Sequence, residues 1–266
     1  MKQFAFFISL WLCSFIANAQ GSIARFKVLG NGHWIAQPYI QSLQKTKSPI
    51  KTEQTENKLI QLIFPDDGFK DNSIEVDGWT LNEGGLGFTI SLKPGIKKDT
   101  WKTNAKNYDN ADVGFMDIGF SIVKKDTMLL LYKYSKAKKL LGIINYIKSS
   151  NAFSSSEETG YLHFQVNKAL FAGTWNSKGM NVQFTNDGSV DGFNDAVHYE
   201  VEFYAPNPVK QGNKMYDEVT FTNAAGNKED YLWLMEGNKL MLYERLDKGN
   251  YIYKLGKLKY TLVRKQ

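Results

Sequence analysis

The sequence predicts an all-β protein made of two consecutive antiparallel, barrel-like units, with one short helix in the first unit. Short runs alternate apolar and polar residues and end at turn residues, as where Met180, Val182 and Phe184 precede the turn at 186–188. Aromatic residues make up 14% of the chain and there are 22 glycines, a composition typical of strands and turns. A serine-rich stretch at 149–158 then separates two strand-rich halves.

Residues 1–19 have the features of a cleaved secretory signal peptide. Lys2 supplies the positive start, residues 4–16 are apolar, and Ala17-Asn18-Ala19 fits a cleavage site. The residues before Cys13 match a lipoprotein signal poorly, so we expect export as a soluble protein to the periplasm or the extracellular space. The apolar run is too short to span a membrane, and no later run is longer, so no membrane span is expected.

Cysteine content and charge exclude several classes of function. Cleavage after residue 19 would remove the only cysteine, which excludes disulfides, Cys-ligated zinc and thiol catalysis, and we expect no cofactor. The formal net charge is +6, or +5 without Lys2, and the lysines are interspersed with acidic residues. Nucleic-acid binders concentrate basic residues on one face, so no nucleic-acid partner is expected.

The first domain is predicted to span residues 20–148. Gln37-Pro38 suits a helix start, and the pattern predicts a helix over 38–45. The predicted strands are 22–29, 58–64, 73–81, 86–92, 113–123, 128–134 and 139–148, and for the last of these a helix is the alternative. The polar segment 93–112 is predicted to be a loop, in which Trp101 either fixes the loop to the core or covers a barrel mouth.

A linker is predicted at 149–159, followed by a second domain at 160–266. The alternative is that this segment is a long loop within one continuous β-structure. The predicted strands of the second domain are 161–166, 171–176, 180–185, 197–204, 218–222, 231–235, 239–246, 251–255 and 258–264. Short turns join most of them, which is typical of a meander that closes on itself and so removes its edges.

Short features recur in the same order in both halves. Gly32-His33-Trp34 corresponds to Gly173-Thr174-Trp175, and the segment 64–68 corresponds to 184–188, each ending in Asp-Gly. The spacings between the features differ. Duplication of one ancestral unit and chance similarity between β-rich segments both account for this pattern.

The second half resembles the lipocalin-like (calycin) proteins of bacteria. The resemblance rests on Gly173 and Trp175 at the start of a strand, on Asp187-Gly188 after the next strand, and on a last strand that ends in Arg264. It implies that Trp175 closes the floor of a barrel and that Arg264 lies across its ring. Such a cation–π contact contributes about 0.5–2 kcal/mol. The chain as a whole also resembles two-part secreted bacterial proteins, which implies no activity.

His198, Glu200 and Glu202 are the residues that most suggest chemistry. On a strand they share one face and are spaced about 6.5–7 Å apart. This spacing suits a metal site or an acid–base pair, and a solvated strand face is the alternative interpretation. Since His33 and His163 are the only other histidines, we expect no metal site and assign no catalytic residue.

Aromatic side chains in the second half give the only positive indication of function. Five of them are predicted to line a cavity for a small apolar or planar ligand: Tyr199, Phe203, Trp233, Tyr243 and Tyr253. Packing in the core is the alternative for each of them. We therefore expect an exported, non-catalytic binding protein. The two alternatives are an envelope or surface protein–protein interaction module and a carboxylate-dependent hydrolase.

Overall fold

The computed structural model of the protein is mostly β, with 61% strand and 16% helix, as the sequence predicts. The described residues are 24, 26–53, 59–70, 72–80, 84–105, 111–123, 125–149, 160–177, 179–203, 209–250 and 252–265. They form two compact units. The first unit contains the described residues up to 37 and 59–149, and the second contains 38–53 and those from 160 onward. The predicted signal peptide and the predicted linker, apart from Ser149, lie outside the described residues.

The first unit is a closed antiparallel barrel of eight strands in sequential order. Its strands are β1 (Gly32–Ala36), β2 (Leu59–Phe64), β3 (Ser73–Thr80), β4 (Gly84–Pro94), β5 (Thr100–Thr103), β6 (Val113–Val123), β7 (Asp126–Ser135) and β8 (Leu140–Ser149). Pairing of β1 with β8, in which Trp34 lies opposite Lys148, closes the barrel. Closure leaves the sheet without an edge, and it confirms the prediction of a barrel for this unit.

Aromatic packing fixes Trp101, within the polar segment 93–112, to the barrel of the first unit. The sequence predicts a loop there, but residues 100–103 form β5, which pairs with β4 and β6. Trp101 is 7% exposed, and its ring lies 4.6 Å from that of Phe26, centroid to centroid. Phe26 also packs against Phe120 at 4.9 Å. Trp101 therefore contacts the core, which is the first of the two roles that the sequence allows.

The described residues of the second unit form three helices and a large antiparallel sheet. Its helices are α1 (Gln37–Thr46, in this unit from Pro38), α2 (Pro49–Glu53) and α3 (Gly160–Leu170). Its strands are β9 (Gly173–Ser177), β10 (Met180–Phe184), β11 (Val190–Asp191), β12 (Ala196–Val201), β13 (Val209–Gln211), β14 (Lys214–Asn223), β15 (Lys228–Glu236), β16 (Lys239–Asp247) and β17 (Tyr253–Arg264).

The sheet of the second unit is open, whereas the sequence predicts a second barrel. Its strand order is β11-β10-β9-β17-β16-β15-β14-β12, with β13 paired to β14. The first and last long strands pair as predicted, because β17 lies beside β9. Among the described residues, the two ends of the sheet are joined by an isolated bridge between Ser189 and His198, and Tyr199 adds hydrogen bonds from its N–H to Gly188 O at 2.7 Å and from its hydroxyl to Thr185 O at 2.6 Å.

Three helical segments differ from the sequence-based predictions. The described residues of the predicted strand 22–29 are helical at 26–29, and the predicted strand 161–166 lies within α3. Nearly every side chain of α3 is buried, so the segment lacks the polar face by which an amphipathic helix is recognised. The predicted helix 38–45 does form, as α1, but it belongs to the second unit rather than to the first.

A buried carboxyl group holds α2 against β14. Asp217 is 1% exposed, and its Oδ1 accepts a 2.9 Å hydrogen bond from the backbone N–H of Ile50 in the first turn of α2. Burial raises the pKa of Asp217 to about 7, because the ionised form loses its hydration. Residues that precede β2 in the chain are thereby anchored to a strand of the second unit.

The recurring features of the two halves occupy equivalent places in the two sheets. Gly32 pairs with Phe64 between β1 and β2, and Gly173 pairs with Phe184 between β9 and β10. Both glycines have positive φ, 103° and 131°, a conformation that other residues adopt at a cost. In each unit a tryptophan, Trp34 or Trp175, lies two residues after this glycine. The recurring features therefore have the same register in both units.

Candidate functional site

Two of the five predicted ligand-binding residues belong to the aromatic core of the second unit. Tyr199 and Trp233 are both 0% exposed. The ring of Phe171 lies between them, at 5.5 Å from Tyr199 and 5.1 Å from Trp233. Phe184 packs edge-on against Tyr199 at 4.9 Å. Rings at these distances fill the space that an enclosed ligand would need.

The other three predicted residues lie apart from this core. Phe203 packs edge-on against His163 of α3, with ring centroids 4.8 Å apart. Tyr243 and Tyr253 contact a separate apolar cluster that contains Tyr216, whose ring lies 5.3 Å from that of Tyr243. The structure therefore does not bring the five aromatic residues together around one site.

Trp175 and Arg264 adopt the geometry that the calycin resemblance implies. Trp175 is 0% exposed and lies opposite Arg264 in the pairing of β9 with β17. The guanidinium carbon lies 4.6 Å from the centroid of the indole ring, and Arg264 Nη2 donates a hydrogen bond to the backbone oxygen of Leu170. The indole N–H donates to Phe171 O at 2.7 Å, which fixes the ring. Arg264 thus satisfies a carbonyl at the end of α3 while it covers Trp175.

Asp187 and Gly188 stabilise the turn that follows β10. The Asp187 carboxylate accepts hydrogen bonds from the hydroxyl of Thr185 and, at 3.2 Å, from the backbone N–H of Ser189. The bond from Thr185 lowers the pKa of Asp187, because it favours the ionised form. Gly188 has a φ of 83°, which favours glycine. Both residues therefore maintain the local structure of the turn.

His198 and Glu200 of the predicted constellation contact different partners. Glu200 Oε1 lies 3.2 Å from His163 Nε2, whereas His198 lies at the isolated bridge to Ser189. Within the described part of the chain, no group of three or more His, Cys, Asp or Glu residues is arranged to hold a metal ion. The geometry therefore offers no ligand set for a metal at these residues.

A charged cluster surrounds Arg245 on the sheet of the second unit. Its guanidinium donates to Glu218 at 2.9 Å and to Asp230, and lies 4.3 Å from the ring centroid of Tyr253. Glu218 is 14% and Asp230 30% exposed at the side chain, so both carboxylates are partly desolvated. Because Arg245 binds both of them, neither is placed to act as a free nucleophile or base.

Glu202 lies beside this cluster and is predicted to titrate near neutrality. Desolvation, followed by the charges of neighbouring carboxylates such as Glu200 and Glu218, raises its pKa to about 7. Since the guanidinium of Arg245 opposes this shift, Arg245→Met should raise the pKa of Glu202 further. Carboxyl ¹³C NMR of the parent and the variant measures both values. A parent pKa near 4.5 would contradict the assignment.

An open cleft of about 750 Å³ lies between the β9–β10 hairpin and β17. It exists because β17 is a 12-residue strand, yet only Val263 and Arg264 pair with β9. The hairpin and the earlier residues of β17 therefore diverge. The described lining residues are Asn176, Ser177, Gly179, Met180, Asn181, Leu258, Lys259, Tyr260, Thr261, Val263 and Lys265.

The cleft combines apolar surface with positive charge. Leu258 is 51% exposed at its wall. Lys259 makes a loose ion pair with Glu244 at 3.9 Å, and Lys265 Nζ donates to Asn181 Oδ1 at 2.9 Å. Among the described lining residues none is acidic. The cleft thus suits a ligand with both apolar and anionic parts.

Sequence reasoning did not identify this cleft. In the sequence, Leu258 and Lys259 are ordinary residues of a terminal strand. They lie on an open wall only because β9 and β17 pair over a short length.

Comparisons with family models, curated proteins and solved structures give no match. Within the described residues, none of the helices has the length and apolar character needed to cross a membrane.

Proposed function

We propose that this chain is an exported, non-catalytic binding protein whose ligand occupies the cleft between the β9–β10 hairpin and β17. The observation that supports this most directly is the open, acid-free wall formed by Leu258, Lys259 and Lys265. The volume of about 750 Å³ lies within the range of small-molecule sites. A ligand with an apolar part and an anionic group matches this wall.

The packed aromatic core favours the cleft over the interior of the sheet as the ligand site. The ring of Phe171 contacts those of Tyr199 and Trp233, so a ligand there would have to displace these rings. Binding in the cleft needs no such rearrangement.

Export is proposed on the signal-peptide features of residues 1–19.

We also propose that the second unit is a calycin-like barrel with an interrupted ladder. The contact between Trp175 and Arg264 supports this relationship, as does the pairing of β9 with β17. The bridge from Ser189 to His198 lies where the two ends of the open sheet approach each other. The cleft then corresponds to a lateral opening beside the closing strands.

A fluorescent probe that has both an apolar part and an anionic group tests the cleft directly. We expect 8-anilinonaphthalene-1-sulfonate, which joins an apolar ring system to a sulfonate, to bind the native protein. Leu258→Asp places a negative charge on the apolar wall and should weaken binding by about 10-fold or more, equivalent to about 1.4 kcal/mol. The measurement is a fluorescence titration, with circular dichroism to show that the variant is folded.

Val197→Asp is the matched control, because Val197 of β12 is 50% exposed and Leu258 is 51% exposed. It introduces the same charge at a site that does not line the cleft. Binding by this variant should equal binding by the parent. Equal affinities for the parent and for Leu258→Asp would contradict the proposed site.

A further inference from the structure

One side of β17 has unpaired backbone along the cleft. On its first side β17 pairs with β16 from Tyr253 to Val263, whereas on its second side it pairs with β9 only through Val263 and Arg264. Within the described part of the chain, no strand pairs with the second side over residues 253–262. The N–H and C=O groups that point to that side are available to another strand.

The charges beside this edge favour a partner of opposite sign. Lys254, Lys257 and Lys259 are exposed along the same stretch of β17, and Lys265 lies at the end of the cleft. Lysines on a strand edge oppose pairing with a second copy of this chain, because like charges would face one another across the new ladder. Acidic side chains on an incoming strand would instead form favourable cross-strand pairs.

We propose that the cleft takes an extended peptide segment with acidic side chains from a partner protein, which adds as a strand to the free side of β17. This inference rests on the proposed function, since it assigns an occupant to the same cleft. Backbone hydrogen bonds to residues 256–261 supply the binding, and the lysines select the sequence. The apolar side chain of Leu258 contacts an alternate residue of the peptide.

A set of three blocked peptides tests strand addition. The first alternates valine with glutamate over about seven residues, which spans about 23 Å as a strand. The second replaces glutamate by lysine, and the third keeps the first sequence but carries N-methyl groups on alternate backbone amides. We expect the glutamate peptide to bind, and each of the other two to bind about 10-fold more weakly or worse, as measured by fluorescence anisotropy.

A charge-reversal variant sharpens the test. Lys259→Glu should weaken binding of the glutamate peptide and strengthen binding of the lysine peptide, whereas Lys228→Glu, an exposed lysine at the start of β15, should change neither. Amide hydrogen exchange should slow at residues 256–261 when the glutamate peptide is bound. This slowing would not follow from a purely side-chain contact.

The outcomes separate this inference from the proposed function. If the sulfonate probe binds in the cleft but N-methylation leaves peptide affinity unchanged, strand addition is wrong and cleft binding stands. If neither the probe nor the peptide responds to Leu258→Asp, both proposals are wrong. If sedimentation shows a dimer of the parent chain, and dimer formation slows amide exchange at residues 256–261, a second copy occupies the edge and the peptide proposal is overturned.

Discussion

Asp217→Asn should remove the contribution of Asp217 to the pH dependence of stability, which is a fall of about 4 kcal/mol in the free energy of unfolding between pH 4 and pH 8. The native pKa of Asp217 is raised from 3.8 to about 7 by burial. Between these values the native state holds a proton that the unfolded state has lost, so the free energy of unfolding falls as pH rises. About three pKa units at 1.36 kcal/mol each give the expected size.

Urea unfolding at a series of pH values measures this effect. Asparagine keeps an oxygen that can accept the hydrogen bond from Ile50 N–H, so α2 should remain docked on β14. The variant should therefore gain stability relative to the parent as pH rises. Asp191→Asn, at an exposed position of β11, supplies the baseline for removing one carboxylate. Parallel curves for the parent and Asp217→Asn would contradict the buried-acid assignment.

Arg264→Ala should lower the free energy of unfolding by about 1–3 kcal/mol. The substitution removes the cation over Trp175 and leaves the backbone oxygen of Leu170 without its described donor. Arg264→Lys should recover only part of this loss, because an ammonium group lacks the planar fork of the guanidinium. Urea melts of the three proteins compare these free energies.

Lys148→Ala is the corresponding control in the first unit. Lys148 lies opposite Trp34 and its Nζ is 5.7 Å from the ring centroid, but the lysine is exposed. An exposed cation–π contact contributes about 0.5–1 kcal/mol at most, so the loss should be smaller than for Arg264→Ala. If Arg264→Ala unfolds at the same urea concentration as the parent, the contact with Trp175 does not stabilise the sheet.

Strands with one buried face could be predicted from the sequence, because alternation records which side chains face the core. β6 has the predicted bounds, Val113–Val123, and β8 was predicted within one or two residues. In contrast, β5 contributes only a few residues and was missed. α3 was mistaken for a strand, since burial on nearly all sides removes its helical period.

The candidate site could not be predicted in the same way. The contact between Trp175 and Arg264 could be predicted, because the calycin resemblance implies that the first strand of the unit pairs with the last. The cleft forms because β9 pairs with β17 only at the end of β17. No local sequence pattern around Leu258 or Lys259 indicates that a neighbouring strand is absent there. The role of Asp217 likewise depends on a helix more than 160 residues away in the chain.

Chemical-shift mapping of the sulfonate probe on the ¹⁵N-labelled protein tests the central claim most directly. We expect the largest amide shift changes at Gly179–Asn181 and Leu258–Thr261, the two walls of the cleft. The indole N–H signals of Trp175 and Trp233, which are buried in the aromatic core, should stay unchanged. Shifts centred on those two indoles, with the cleft residues unaffected, would place the ligand in the interior and contradict the account.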